Sequence, residues 1–90
     1  MSAGDVFIVD DNPNNLSLLA GILRGAGYRV RMSNEPRSAL SMIQALPPEL
    51  IMLDVLMPEM DGYELCRGVK ARQETVDVPV IFLRDRKSVV

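Results

Sequence analysis

The 90-residue sequence predicts a doubly wound α/β domain on a parallel sheet, from three observations. Short, wholly apolar runs alternate with stretches whose apolar residues recur at helical spacing. The apolar runs lack the in–out alternation of a sheet with one wet face, which marks strands covered on both sides. The connections are a few residues long, and a strand–helix–strand order with such connections makes right-handed crossovers. A chain of this length holds one domain at most.

Val6-Phe7-Ile8-Val9 is the first strand, apolar throughout and β-branched except at Phe7. Asp10-Asp11-Asn12-Pro13 breaks it, and Asn12 before Pro13 predicts a helix start with Asn as N-cap and Pro at the first helical position. Leu16, Leu19, Ala20 and Leu23 then mark one apolar helical face, which Gly25-Ala26-Gly27 ends. Tyr28, Val30 and Met32 alternate with Arg29 and Arg31, the period of a half-buried edge strand. Ser33-Asn34-Glu35-Pro36 opens a second helix with Ala39, Leu40, Ile43 and Leu46 inward, and Pro47-Pro48 stops it. Leu50-Ile51-Met52-Leu53 is the third strand and runs into Asp54. A loop to Gly62 leads to a third helix, with Leu65, Cys66 and Val69 inside and Glu64, Arg67 and Lys70 outside. Val78-Pro79-Val80-Ile81-Phe82-Leu83 is the fourth strand, with Pro79 tolerable near its first residue. Residues 1–83 are expected to form the domain and 84–90 a charged, non-native-looking tail. Asp85 to Val90 is what GAT CGG AAG AGC GTC GTG encodes, a common sequencing adapter read in frame, so the natural gene is expected to continue.

Composition removes several classes of function. Apolar residues make up 48% of the chain and only four residues are aromatic, so the core must be aliphatic. Ten Lys and Arg against twelve Asp and Glu, with no basic block, argue against a nucleic-acid or anionic membrane surface. The longest apolar stretches run four or five residues, far short of a membrane span. The N-terminus lacks the charge and apolar length of a signal peptide. The single Cys66 suits a reducing cytosol, and the expected location is cytoplasmic. With one Cys and no His, zinc sites and His-assisted nucleophiles are excluded. Cys66 reads as a small buried hydrophobe, and Arg29, Arg31 and Arg37 as a solvated rim.

Chemistry therefore rests on carboxylates. In open α/β sheets ligands bind beyond the carboxyl ends of the strands. Asp10 and Asp11 end the first strand and Asp54 the third, so three carboxylates converge if those strands are neighbours. Such a trio repels itself unless protons or a cation neutralise it, and an all-oxygen donor set favours Mg²⁺. Taken singly, Asp-Asp-Asn-Pro is ordinary capping chemistry and Met-Pro-Glu-Met-Asp-Gly an ordinary turn. Their joint placement at the same end of two buried strands sets them apart.

These residues carry a resemblance. Asp10-Asp11 after one apolar strand and Asp54-Val55-Leu56-Met57-Pro58-Glu59-Met60-Asp61-Gly62 after another look like the receiver domain of bacterial response regulators, from Asp5 to Leu83. The resemblance implies a flavodoxin-like (CheY-like) sheet, here without the fourth helix, fifth strand and fifth helix. It implies Asp54 as phospho-acceptor and Mg²⁺ held by Asp11 directly, Asp10 largely through water, Asp54, and the Leu56 backbone carbonyl. The implied partner is a histidine kinase or phosphotransfer domain of a two-component phosphorelay. Asp11-Asn12-Pro13-Asn14-Asn15-Leu16 resembles receivers attached to hybrid histidine kinases or cyclic-dinucleotide enzymes. Receivers carry Ser or Thr thirty residues beyond the acceptor, where this sequence has Arg84, and a later Lys it does not reach. Phosphoryl capture by this chain is therefore expected to be impaired.

Two other functions compete. A Mg²⁺-dependent phosphohydrolase with an Asp nucleophile resembles a D-x-D pattern, but the residue two after Asp54 is Leu56. A non-phosphorylated pseudo-receiver, or a degenerate fragment, is the other. An apolar fourth strand with nothing suited to pair its outer edge is expected to promote self-association, with part of one sheet face left bare.

Overall fold

The computed structural model describes residues 4–83. In chain order the elements are β1 (Asp5–Val9), α1 (Pro13–Gly25), β2 (Arg29–Ser33), α2 (Pro36–Ala45), β3 (Leu50–Asp54), α3 (Gly62–Lys70) and β4 (Val80–Leu83). The strands form one sheet in the order β2-β1-β3-β4, every pair parallel. The expected doubly wound α/β fold is thus observed, with β2 on the edge as its alternation predicts. The winding reverses at β1, which has β2 on one side and β3 on the other. A reversal of that kind opens a crevice at the strands' carboxyl ends.

Alternate residues of the central strands feed two separate cores. Phe7, Val9, Ile51 and Leu53 lie in one with Ala39 and Ile43 of α2 and Leu65 and Val69 of α3. Val6 and Ile8 lie in the other with Leu16 and Ala20 of α1 and Val30 of β2. The second core is the less complete. Leu50, Met52 and Leu83 are only partly buried against it, and Ile81 is 48% exposed. This is the bare sheet face the sequence leads one to expect, seen here among the described residues.

Local signals place the helix ends. Asn12 caps α1 by accepting from the Asn14 N–H at 2.9 Å, with Pro13 opening the helix. Ala26 is the C-cap, and Gly27 takes the left-handed conformation (φ 95°) that Cβ-bearing residues avoid. Asp61 caps α3, its Oδ1 accepting from the Glu64 N–H at 2.9 Å. The next residue, Gly62, is fixed by packing. A Cβ there would stand 2.5 Å from the Asp54 carbonyl oxygen and 3.0 Å from the Val55 Cα.

The structure corrects four readings. Arg31 is not a solvated rim residue: it pairs with Asp5 at 3.1 Å, donates to the Leu46 carbonyl at 2.8 Å and lies 5.3 Å from the Phe7 ring centroid. These contacts tie the sheet edge to the end of α2. Leu46 is the C-cap of α2 and 62% exposed, because the Pro47-Pro48 stop takes effect one residue before the apolar period ends. β4 starts at Val80, since Pro79 has no N–H to give the ladder and contributes only its carbonyl, 3.0 Å from the Ile51 N–H. Cys66 is half-buried rather than buried. The expectations for Arg84 and for residues 84–90 lie outside the described residues.

Candidate functional site

The crevice at the winding reversal holds the three carboxylates. β1 pairs with β3 from Val6↔Leu50 to Val9↔Leu53, so the residue after β1 and the last residue of β3 sit side by side. Asp10, Asp11 and Asp54 each offer a carboxylate oxygen, and these oxygens lie within 4.8 Å of one another. Asp10 and Asp54 are each only 1% exposed, whereas Asp11 is exposed.

The surrounding backbone orients these groups. Asp10 Oδ1 accepts from the Asn12 N–H at 2.9 Å and its Oδ2 from the Asn15 side-chain amide at 3.3 Å. One carboxylate is thereby fixed by the turn into α1 and by the helix itself. The Asp10 N–H reaches the Ser33 carbonyl at 3.3 Å, tying the turn to β2. Asp54 Oδ1 accepts from the Leu56 N–H at 3.3 Å, so the loop after β3 turns back over the acid. Leu56 itself is 72% exposed. The Gly62 N–H donates to the Val55 carbonyl at 3.0 Å, which seats the start of α3 on the same backbone. A shallow cleft beside the cluster, lined by Asp11, Asn34, Glu35, Pro36, Pro58 and Glu59, adds acidic groups to its rim.

The donor set fits a small hard cation. Mg²⁺ takes hard oxygen ligands at about 2.0–2.1 Å. Three carboxylate oxygens within 4.8 Å of one another would together be able to hold such an ion. Two of the three acids are also withdrawn from solvent, which weakens their screening from one another. Sequence reasoning thus finds all three acids. It missed Asn15, which holds Asp10, and Asp61, which caps α3. Asp61 followed three residues later by Glu64 is the helix-start signature that identifies it. Asn15 carries no signal beyond its place in the first turn of α1.

The family model of the response regulator receiver domain matches residues 6–89. A probable cyclic di-GMP phosphodiesterase of Vibrio cholerae is 34% identical over 88 residues, 98% of this chain but 20% of that protein. The crystal structure of a signal receiver domain of a Syntrophus aciditrophicus signal transduction histidine kinase superposes with a TM-score of 0.84 at 40% identity, covering 97% of this chain and 68% of that one. The receiver domain of a Pseudomonas aeruginosa sensor histidine kinase, crystallised with a magnesium ion coordinated in its active site cleft, gives a TM-score of 0.87 at 28% identity, covering 94% and 70%. The chain spans from 20% to 36% of the length of three curated relatives that match 87% or more of it. No helix among the described residues is long and apolar enough to cross a membrane.

Proposed function

The chain belongs to the response regulator receiver domain family, and we propose that it is a phospho-acceptor module that takes a phosphoryl group on Asp54. The observation that carries this reading is the cluster itself: three carboxylates at one end of two paired strands, with Asp10 and Asp54 buried. Asp11, Asp10, Asp54 and the Leu56 carbonyl would hold Mg²⁺. The bound ion supplies charge screening, so that a phosphoryl group with its own negative charge can approach. An Asp54 oxygen attacks phosphorus, an O–P bond forms, and the P–N or P–O bond to the donor breaks with its electron pair leaving on the donor. The product is an acyl phosphate, whose added charge alters what the surrounding loops can bind. The Leu56 N–H to Asp54 Oδ1 bond holds the acid in place while Asp10 is held by Asn12 and Asn15.

The donor in this reading is a histidine kinase or a phosphotransfer domain, and two structural relatives that are themselves receiver domains of histidine kinases support it. The phosphohydrolase alternative fares worse. It needs an acid two residues after the nucleophile, and that position is an exposed Leu56. Intact-mass measurement after incubation with a small acyl phosphate and Mg²⁺ tests the proposal. The expected result is a phosphoryl increment at low occupancy that is lost in Asp54→Asn. An increment that survives the substitution assigns the acceptor elsewhere. In a Mg²⁺ titration Asp11→Ala is expected to weaken binding more than Asp10→Ala, because Asp11 is the exposed acid while both Asp10 oxygens already accept hydrogen bonds. Equal losses would reject that ranking.

A further inference from the structure

The acids of the crevice are not held alike. Asp11 is exposed, and Asp54 accepts from the Leu56 N–H on the loop after β3. Asp10 accepts through both carboxylate oxygens, and both donors belong to the start of α1. The donor to Oδ1 is the Asn12 N–H at 2.9 Å, a backbone group that every residue but proline supplies. The donor to Oδ2 is a side chain, the Asn15 amide at 3.3 Å, so this half of the arrangement depends on residue type.

Asn15 is the third residue of α1, the position from which Glu or Gln closes a capping box. Here the Asn12 side chain caps the helix through the Asn14 N–H, and the half-buried Asn15 amide turns to Asp10. An amide suits that task. It is neutral, so it orients the carboxylate without setting a positive charge beside an incoming cation, as Lys or Arg would. A carboxylate has about four lone-pair sites, so these two bonds orient Asp10 without using up its capacity to accept. At 1% exposure Asp10 has little water at hand to replace a lost donor.

We propose that Asn15 is a positioning residue that sets the preference of the crevice for Mg²⁺ over Ca²⁺, acting through Asp10. This rests on the acids holding a divalent cation for phosphoryl transfer. Mg²⁺ demands near-octahedral oxygens at about 2.0–2.1 Å, whereas Ca²⁺ takes oxygens at about 2.3–2.6 Å in looser order. A pinned Asp10 beside a buried Asp54 keeps the crevice small, and exposed Asp11 is the acid that adjusts. Without the Asn15 amide, Oδ2 loses this donor and the carboxylate gains freedom to rotate about its bond with Asn12. The site then tolerates the larger ion. Groups that orient a ligand in this way govern metal affinity by about 10–100-fold, and a bond as long as 3.3 Å places Asn15 at the lower end.

Calorimetric titration of the full chain with Mg²⁺, and separately with Ca²⁺, tests the proposal. Asn15→Leu keeps the bulk and removes the amide. Its Mg²⁺ dissociation constant is expected to rise about tenfold while that for Ca²⁺ changes much less, so the preference narrows. In an Asp10→Ala background the same substitution is expected to leave both constants unchanged, because the group it acts through is gone. Asn14→Leu, one residue earlier on the same exposed turn, is expected to bind both ions like wild type. Circular dichroism melts in chelator establish the fold of each variant, and Asn15→Ala, which adds no apolar bulk, is expected to repeat the result of Asn15→Leu. A parallel loss for both ions, or a loss that persists without Asp10, makes Asn15 a structural residue and overturns the proposal. Wild type and Asn15→Leu that bind Mg²⁺ equally overturn this proposal alone. A wild type that binds no Mg²⁺ overturns the reading of the acids together with it.

Discussion

Two glycines and one arginine show how single residues set local geometry and stability. At Gly62 any Cβ meets backbone rather than a flexible side-chain tip, so Gly62→Ala must displace either the start of α3 or the Asp54–Val55 peptide. The expected cost is about 1–3 kcal/mol in denaturant unfolding, the range for overpacking a tight site. Gly21, inside α1 with open space around it, gives the opposite sign. Gly21→Ala is expected to stabilise by roughly 0.5–1 kcal/mol through helix propensity alone. Arg31 serves at once as ion-pair partner, hydrogen-bond donor and cation over Phe7, and Arg31→Ala is expected to lose about 1–2 kcal/mol. Arg31→Lys should recover only part of this, because one ammonium group cannot copy the guanidinium's spread of donors.

Among the elements, those with strong periodicity were legible from the sequence, and their ends were legible where the ending residue has a single physical role. Asn12-Pro13 and Gly27 mark the limits of α1 because one caps, one fixes φ and one tolerates the left-handed turn. The sites where reading failed lack that property. Leu46 continues the apolar spacing of α2, yet the Pro47-Pro48 stop removes it from the helix and leaves it in solvent. Arg31 alternates as an edge residue should, but its destination depends on Asp5 and Leu46, fifteen or more residues away in the chain. Long-range partners of that kind leave no local trace. The loop after α3 is another case. Buried Thr75 donates its hydroxyl to the Val69 carbonyl, and Lys70 reaches the carbonyls of Val76 and Val78, so the connection to β4 is pinned to the end of the helix. Thr75→Val keeps the shape and removes the donor. The expected loss is about 1–3 kcal/mol, the cost of leaving the Val69 carbonyl unpaired, as a shift in the thermal midpoint at unchanged helix content would show.

For the molecule as a whole, the parallel arrangement gathers three carboxylates at one end of the sheet, where their mutual repulsion is expected to oppose folding. In chelator, Asp54→Asn is expected to raise stability by between about 1 and 4 kcal/mol, the repulsion of unit charges some 4 Å apart between the bulk-water and near-surface dielectric limits. With Mg²⁺ in excess the order reverses. Wild type should gain about 2.7 kcal/mol at a hundred times the dissociation constant, and Asp54→Asn should gain much less. Paired melts with and without the ion read both arms, and a variant that is less stable than wild type in chelator would show that repulsion is not what the cluster contributes. The two cores also differ in completeness. The α2–α3 side is the more extensively buried, whereas the α1 side leaves Leu18 and Ile22 of the helix more than half exposed. Amide exchange is therefore expected to release the protons of α1 before those of α2 and α3. The amide of Asn15, on that same helix, steadies Asp10. Each brief opening of α1 would slacken one wall of the acidic crevice while β3 and Asp54 stay in place. The crevice would then have a firm jaw and a yielding one, and the speed at which an ion enters or leaves would follow the breathing of a helix rather than the chemistry of the acids.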